Sequence, residues 1–218
     1  MPQVPCQKGT SFLPVVEALK QRADCRELVP RALWKYFDKH MLISGWYPEG
    51  DYWVLVGALV NVLEKEGADD VWRGFAKFSA LRDIGGKGTS GNNSTPTGVY
   101  KTFAKGDAGD PESFFRRAVK LWSQYHDSGT MKLLGGRTSA NSVVLRLVGF
   151  NIPLDGFVRL QGYYLEEYAR LVGIALECAV LRNTARGDPF CEWECRLGRT
   201  EETEAYVASL PQLAKSAT

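Results

Sequence analysis

Two histidines stand in the chain, His40 and His126, which excludes any mechanism that needs several imidazoles. Each falls near the end of a helical segment, where an imidazole can meet free carbonyls and the negative end of the helix dipole. The sharper readings of the pair are a heme ligand or an acid/base couple. The five cysteines, Cys6, Cys25, Cys178, Cys191 and Cys195, are odd in number and sparse, which favours reduced thiols over a disulfide framework. On a strand rising about 3.3 Å per residue, Cys191 and Cys195 would lie roughly 13 Å apart. That is too far to share one zinc, so they read as small buried apolar groups. Cys178 can approach one of them across a sheet, giving two thiols without a third ligand. Gly86-Lys87-Gly88-Thr89-Ser90-Gly91 fits the dinucleotide pattern G-x-G-x-x-G, but a helix precedes it and Asn92 to Pro96 follow where a helix should open. Lys87 is followed by Gly88, so it is not a phosphate-binding P-loop either. No serine sits in a nucleophile elbow, and the acidic pairs Glu166-Glu167 and Glu201-Glu202 are sequence neighbours with no base beside them. The residues favour a non-enzymatic protein without a metal or cofactor.

What remains is aromatic: 6 Trp, 9 Tyr and 10 Phe, largely at helical spacing. Such rows ordinarily fill a core. The functional reading is an apolar cavity between helices and sheet, with ring hydroxyls and indole N–H groups to orient a ligand. Trp122, Tyr125, Phe157, Leu160, Tyr164 and Tyr168 are the candidate ligand-binding residues.

The elements that must position them follow from periodicity. Residues 11 to 126 read as helical, with helices after Ser11, near Val29 to His40, after a cap at Asp51, and after Asp69 or Asp70. Residues 85–98 read as a mobile loop, and a short helical piece is expected around Val99 to Ala104. Asp110-Pro111-Glu112 is a strong start signal for a helix reaching Tyr125, combining a cap, a proline at the first position and an early carboxylate. The period then changes: two strands flank Gly135-Gly136, a long helix spans Pro153 to Val172, and two more strands cover Ile174 to Thr184 and Phe190 to Leu197. In the last strand Cys191, Trp193, Cys195 and Leu197 should face the core, and Glu192, Glu194 and Arg196 the solvent. The sum is an α+β fold, N-terminal helices packed with a long helix on a four-stranded antiparallel sheet. One domain over residues 1–197 is expected, helical to 126, with a polar tail at 198–218 holding one short helix around Thr203 to Leu210.

Composition is that of an ordinary soluble domain, and 27 basic against 25 acidic residues leave no footprint for nucleic acid. The longest apolar run, Trp53 to Val60, is too short for a membrane span. No basic-then-apolar leader opens the chain, so a cytoplasmic location is the default.

Trp122-Ser123-Gln124-Tyr125 with Asp127-Ser128-Gly129, then Gly162-Tyr163, and above all Ala185-Arg186-Gly187-Asp188-Pro189-Phe190-Cys191-Glu192-Trp193-Glu194, carry a resemblance. This stretch resembles the vinyl-4-reductase-like domain family, related to heme NO-binding and TRAPP-subunit folds, in a bacterial sensory or uncharacterised branch. The resemblance implies helices over a four-stranded sheet and a small hydrophobic or aromatic ligand. It also implies signalling through a partner protein, as a homodimer. The family's metal-binding positions fall on Phe157, Val180, Asn183 and Cys191, of which only Cys191 keeps the type, so it implies no zinc here. The heme-binding relatives' Tyr-x-Ser-x-Arg signature is absent. The other readings are a scaffolding protein with a filled core, or a protein associated with heme or tetrapyrrole reduction.

Overall fold

In a computed structural model, which describes residues 4–85, 109–136 and 139–212, the chain divides into two units. The first comprises Met1–Val71 and Trp122–Gly129, the second Trp72–Leu121 and Thr130–Thr218. The glycine-rich pattern at 86–91, nearly all of the expected loop at 85–98 and the helical piece at Val99 to Ala104 lie outside the described residues.

The first unit opens with β1 (Cys6–Lys8) and α1 (Gly9–Lys20), followed by a 3-10 turn (Arg31–Leu33) and α2 (Lys35–Asp38). β2 (Trp46–Pro48) and α3 (Glu49–Lys65) complete it. β1 and β2 pair antiparallel, Gln7 opposite Tyr47. A glycine is required at position 9, because a Cβ there would lie 2.2 Å from the Leu42 carbonyl oxygen. The Phe12 ring packs at centroid distances of 5.1 to 5.5 Å from Tyr36, Tyr47 and Tyr52, so these four rings pack on one another. Two expectations need correction. Val29 to His40 is not one helix: Pro30 is extended (ψ 144°) and Lys39 is extended (ψ 149°), leaving only a short helical stretch between them and His40 exposed beyond it. Asp51 does not cap α3, which starts two residues earlier; its carboxylate instead accepts from the Tyr36 hydroxyl at 2.6 Å and pairs with Lys35 at 2.9 Å.

The second unit is built on a sheet of β3 (Thr130–Gly135), β4 (Ser142–Val148), β5 (Leu176–Arg182) and β6 (Cys191–Leu197), in the order β3-β4-β6-β5 with every neighbouring pair antiparallel. Its helices are α4 (Val71–Ala80, leading into a π turn at Leu81–Gly85), α5 (Pro111–Tyr125, whose last four residues count with the first unit), α6 (Asp155–Leu171) and α7 (Glu201–Ser209). α5 starts as its sequence specifies, with Asp110 Oδ1 accepting the Glu112 N–H at 3.0 Å. The hairpin between β5 and β6 is a local hydrogen-bonded knot. Asn183 Oδ1 accepts from Ala185, Asp188 Oδ2 accepts from Asn183, and Gly187 supplies the required positive φ of 92°. Within the expected tail, Glu201–Ser209 form α7, opened by a reciprocal Thr200–Thr203 cap, and the Gly135 N–H donates to the Pro211 carbonyl beyond it.

The alternation in β6 holds, but its polar face is wet only at Arg196: Glu192 is 0% and Glu194 4% exposed. The reason is cross-strand pairing. Arg146, directly opposite in β4, donates to Glu192 at 2.6 Å, and the Ser142 hydroxyl donates to Glu194 at 3.0 Å. Carboxylates paired inside the sheet can be buried where unpaired ones cannot.

Candidate functional site

Within the second unit, α6 lies along the sheet and presents the residues expected to hold a ligand. Phe157, Leu160 and Tyr168 are buried, and Tyr164 is half-buried. Helix and sheet meet without a gap at Gly162, where an added Cβ would stand 3.3 Å from Cys178 Cβ and 3.6 Å from Trp193 Cδ1. One turn earlier the Trp193 indole N–H donates to the Val158 carbonyl at 2.7 Å, and one turn later Glu166 accepts the Cys178 N–H at 2.8 Å. At this crossing helix and sheet are in direct contact.

The aromatic face of α6 continues into other helices of the same unit. Tyr168 packs on Phe114 at 5.1 Å, Phe114 on Phe115 edge-to-face at 5.0 Å, and Tyr206 stacks over Phe115 at 6.5 Å. The Tyr164 hydroxyl donates to Asp83 at 3.1 Å, and Arg82 pairs with the same carboxylate at 2.9 Å. Burial pushes the Asp83 carboxyl up while Arg82 and Tyr164 pull it back down. Burial beside Asp83 pushes the Tyr164 hydroxyl well above its ordinary range. Sequence reasoning missed this polar cluster because Asp83 and Tyr164 are 81 residues apart. A lone aspartate near a helix end carries no signal of burial.

Trp122 and Tyr125 fall in the first unit. The Trp122 indole N–H donates to the Ser128 carbonyl at 3.0 Å, and its ring lies flat on His126 at 3.8 Å. Tyr125 is half-buried. His126 is 8% exposed, with Nδ1 2.6 Å from Glu49 Oε1. Burial lowers the imidazole to about 3, and burial with the neighbouring Asp127 charge raises Glu49 to about 8. Both groups resist charge, and the short contact is held by a proton between them.

A cavity of about 530 Å³ opens elsewhere in the second unit, lined by the start of α5 (Asp110, Pro111, Glu112), the start of α7 (Thr200, Glu202, Thr203, Tyr206) and Gly173 to Ala175. It draws on three separated stretches, so no sequence pattern marks it. Among the described residues no three His, Cys, Asp or Glu side chains are grouped as for a metal ion, and no helix is long and apolar enough to cross a membrane.

No family model matches the chain, and no curated protein matches it. Solved structures do. A doubly substituted Tt H-NOX matches at a TM-score of 0.51 and 8% identity, covering 97% of this chain and 100% of that one. The fold is related to that of H-NOX proteins. An H-NOX protein from S. oneidensis in the Fe(II)NO ligation state matches at 18% identity and a TM-score of 0.45, covering 88% of this chain and 99% of that one. A trafficking protein particle complex subunit 3 from Naegleria fowleri, covalently bound to palmitic acid, matches at 11% identity and a TM-score of 0.43, covering 68% and 93%. At these identities the likeness to H-NOX proteins is one of fold.

Proposed function

We propose that the chain is a non-catalytic sensory module that binds a small apolar or aromatic ligand and passes its state to a partner protein, working as a homodimer of the vinyl-4-reductase-like kind. The supporting observation is the H-NOX-related fold, matched over 97% of this chain. The ligand rests on the α6 face formed by Phe157, Leu160, Tyr164 and Tyr168, with the Tyr164–Asp83 pair as its polar end. The buried ionisable groups support a binding role over a catalytic one, since Glu192, Glu194 and Asp83 are each committed to a structural partner.

A second reading, a heme-associated protein, is favoured by His126. Above about pH 8, where Glu49 is ionised, the imidazole donates its Nδ1 proton to the carboxylate and is fixed in tautomer and orientation, as metal-ligating histidines are. His126 would then hold the iron, and the heme would supply a site for a small gas. The Tyr-x-Ser-x-Arg signature is missing, and His40 is exposed.

The test is a thermal-shift screen of the full chain with fatty acids, phenols and hemin, since a ligand at 100 times its Kd adds about 2.7 kcal/mol. A shift weakened by Tyr164→Phe supports the α6 face, and one weakened only by Tyr206→Phe moves the site to the 530 Å³ cavity. A Soret band lost in His126→Ala supports the heme reading. No shift with any class sinks both.

A further inference from the structure

Cys178 of β5 and Cys195 of β6 are directly opposed across the sheet, and their Sγ atoms stand 3.1 Å apart as free thiols. In an antiparallel ladder, opposed residues alternate between pairs that exchange both backbone hydrogen bonds and closer pairs that exchange none. The Cys178 N–H donates to Glu166, away from β6, which places this pair in the closer class. Cα atoms of such pairs are about 4.5 Å apart, within the range of roughly 4.4 to 6.8 Å that a disulfide spans. Cys195 is fully buried, whereas Cys178 is half-buried on an outer strand of the described sheet, so Cys178 is the more exposed residue of the two. Cys191 is no competitor, because its Sγ sits 3.2 Å from the Thr184 hydroxyl at the other end of β6.

We propose that Cys178 and Cys195 form a redox modification site, a cross-strand dithiol that exchanges with low-molecular-weight disulfides of the glutathione type to give an intrachain disulfide. The Cys178 thiolate attacks one sulfur of the small disulfide, the other sulfur leaves as a thiolate, and a mixed disulfide remains on Cys178. Cys195 then loses its proton and attacks Cys178 Sγ, releasing the second small thiol. Two cysteines are oxidised and one small disulfide is reduced to two thiols, which carry off both protons. Closure brings the sulfurs together by about 1 Å, to the roughly 2.05 Å of a disulfide. The hydrogen bond to Cys195 and burial push the Cys178 thiol well above its ordinary value, so exchange is slow at neutral pH and accelerates as pH rises. The site is independent of the ligand reading above.

The experiment equilibrates the full chain with oxidised and reduced glutathione at mildly alkaline pH, counts free thiols with a maleimide after denaturation, and maps linked peptides. The thiol count should fall from five to three. The link should map to Cys178 and Cys195, survive Cys191→Ser, and be lost in Cys178→Ser with Cys195 left unreacted. Five free thiols at every glutathione ratio, an adduct that stays on Cys178, or a bridge between other cysteines would overturn the proposal. Mapping on the unaltered chain keeps the outcome independent of how the variants fold.

Discussion

Among single residues, the His126–Glu49 pair makes the sharpest statement about pH. Folded Glu49 keeps its proton up to about pH 8, against an ordinary 4.5, so its stabilising contribution is complete below 4.5 and is lost as pH rises to 8. Folded His126 is lowered from 6.5 to about 3, so its contribution is present above 6.5 and is lost as pH falls to about 3. Between 4.5 and 6.5 the two slopes oppose each other, leaving a plateau with losses on either side. Denaturant midpoints measured from pH 4 to 9 should show it, and Glu49→Gln should flatten the alkaline decline. A decline that persists unchanged in that variant would assign it to other groups. The placement of His126 near a helix end was legible in the sequence. Its partner was not, because Glu49 lies 77 residues away and looks like any first-turn carboxylate. Glu192 and Glu194 were legible as one face of a strand, yet their burial was not, since it depends on Arg146 and Ser142 of another strand.

At the scale of elements, α6 and the sheet are joined by contacts that substitutions can grade. Trp193→Phe removes the indole N–H from Val158 and leaves a void under the helix, which should cost about 1–3 kcal/mol in equilibrium unfolding. Gly162→Val should cost a further roughly 1–3 kcal/mol by overpacking, because even the first side-chain carbon meets Cys178 at 3.3 Å. Arg146→Met alone should cost about 3–5 kcal/mol, while the double replacement Arg146→Met, Glu192→Met should recover most of it, as a buried pair is easier to remove whole than to halve. Equal losses in the single and double variants would show that the pair itself is stabilising. Most element boundaries could be read locally: Asp110-Pro111-Glu112 opens α5, and Gly187 turns the last hairpin. The segment after Val29 misled because its apolar spacing ran through Pro30, and backbone restriction outranked periodicity there.

For the whole molecule, the order of helices and strands was sufficient to give the α+β class and the four-stranded antiparallel sheet, since each strand pair follows from its neighbours and turns. The division into two units was not visible, because residues 122–129 belong with the first unit although α5 is continuous in sequence. The strand order β3-β4-β6-β5 leaves β5 with one neighbour in the described sheet. Glu166 of α6 occupies the Cys178 N–H on its open side, and the ladder with β6 slips between Val180 and Arg182. A donor already taken and an irregular register both discourage another strand from adding to that side. Two copies of this chain are therefore expected not to join β5 to β5, and the same blocked margin guards the alternately exposed apolar residues of that strand against fibrillar stacking.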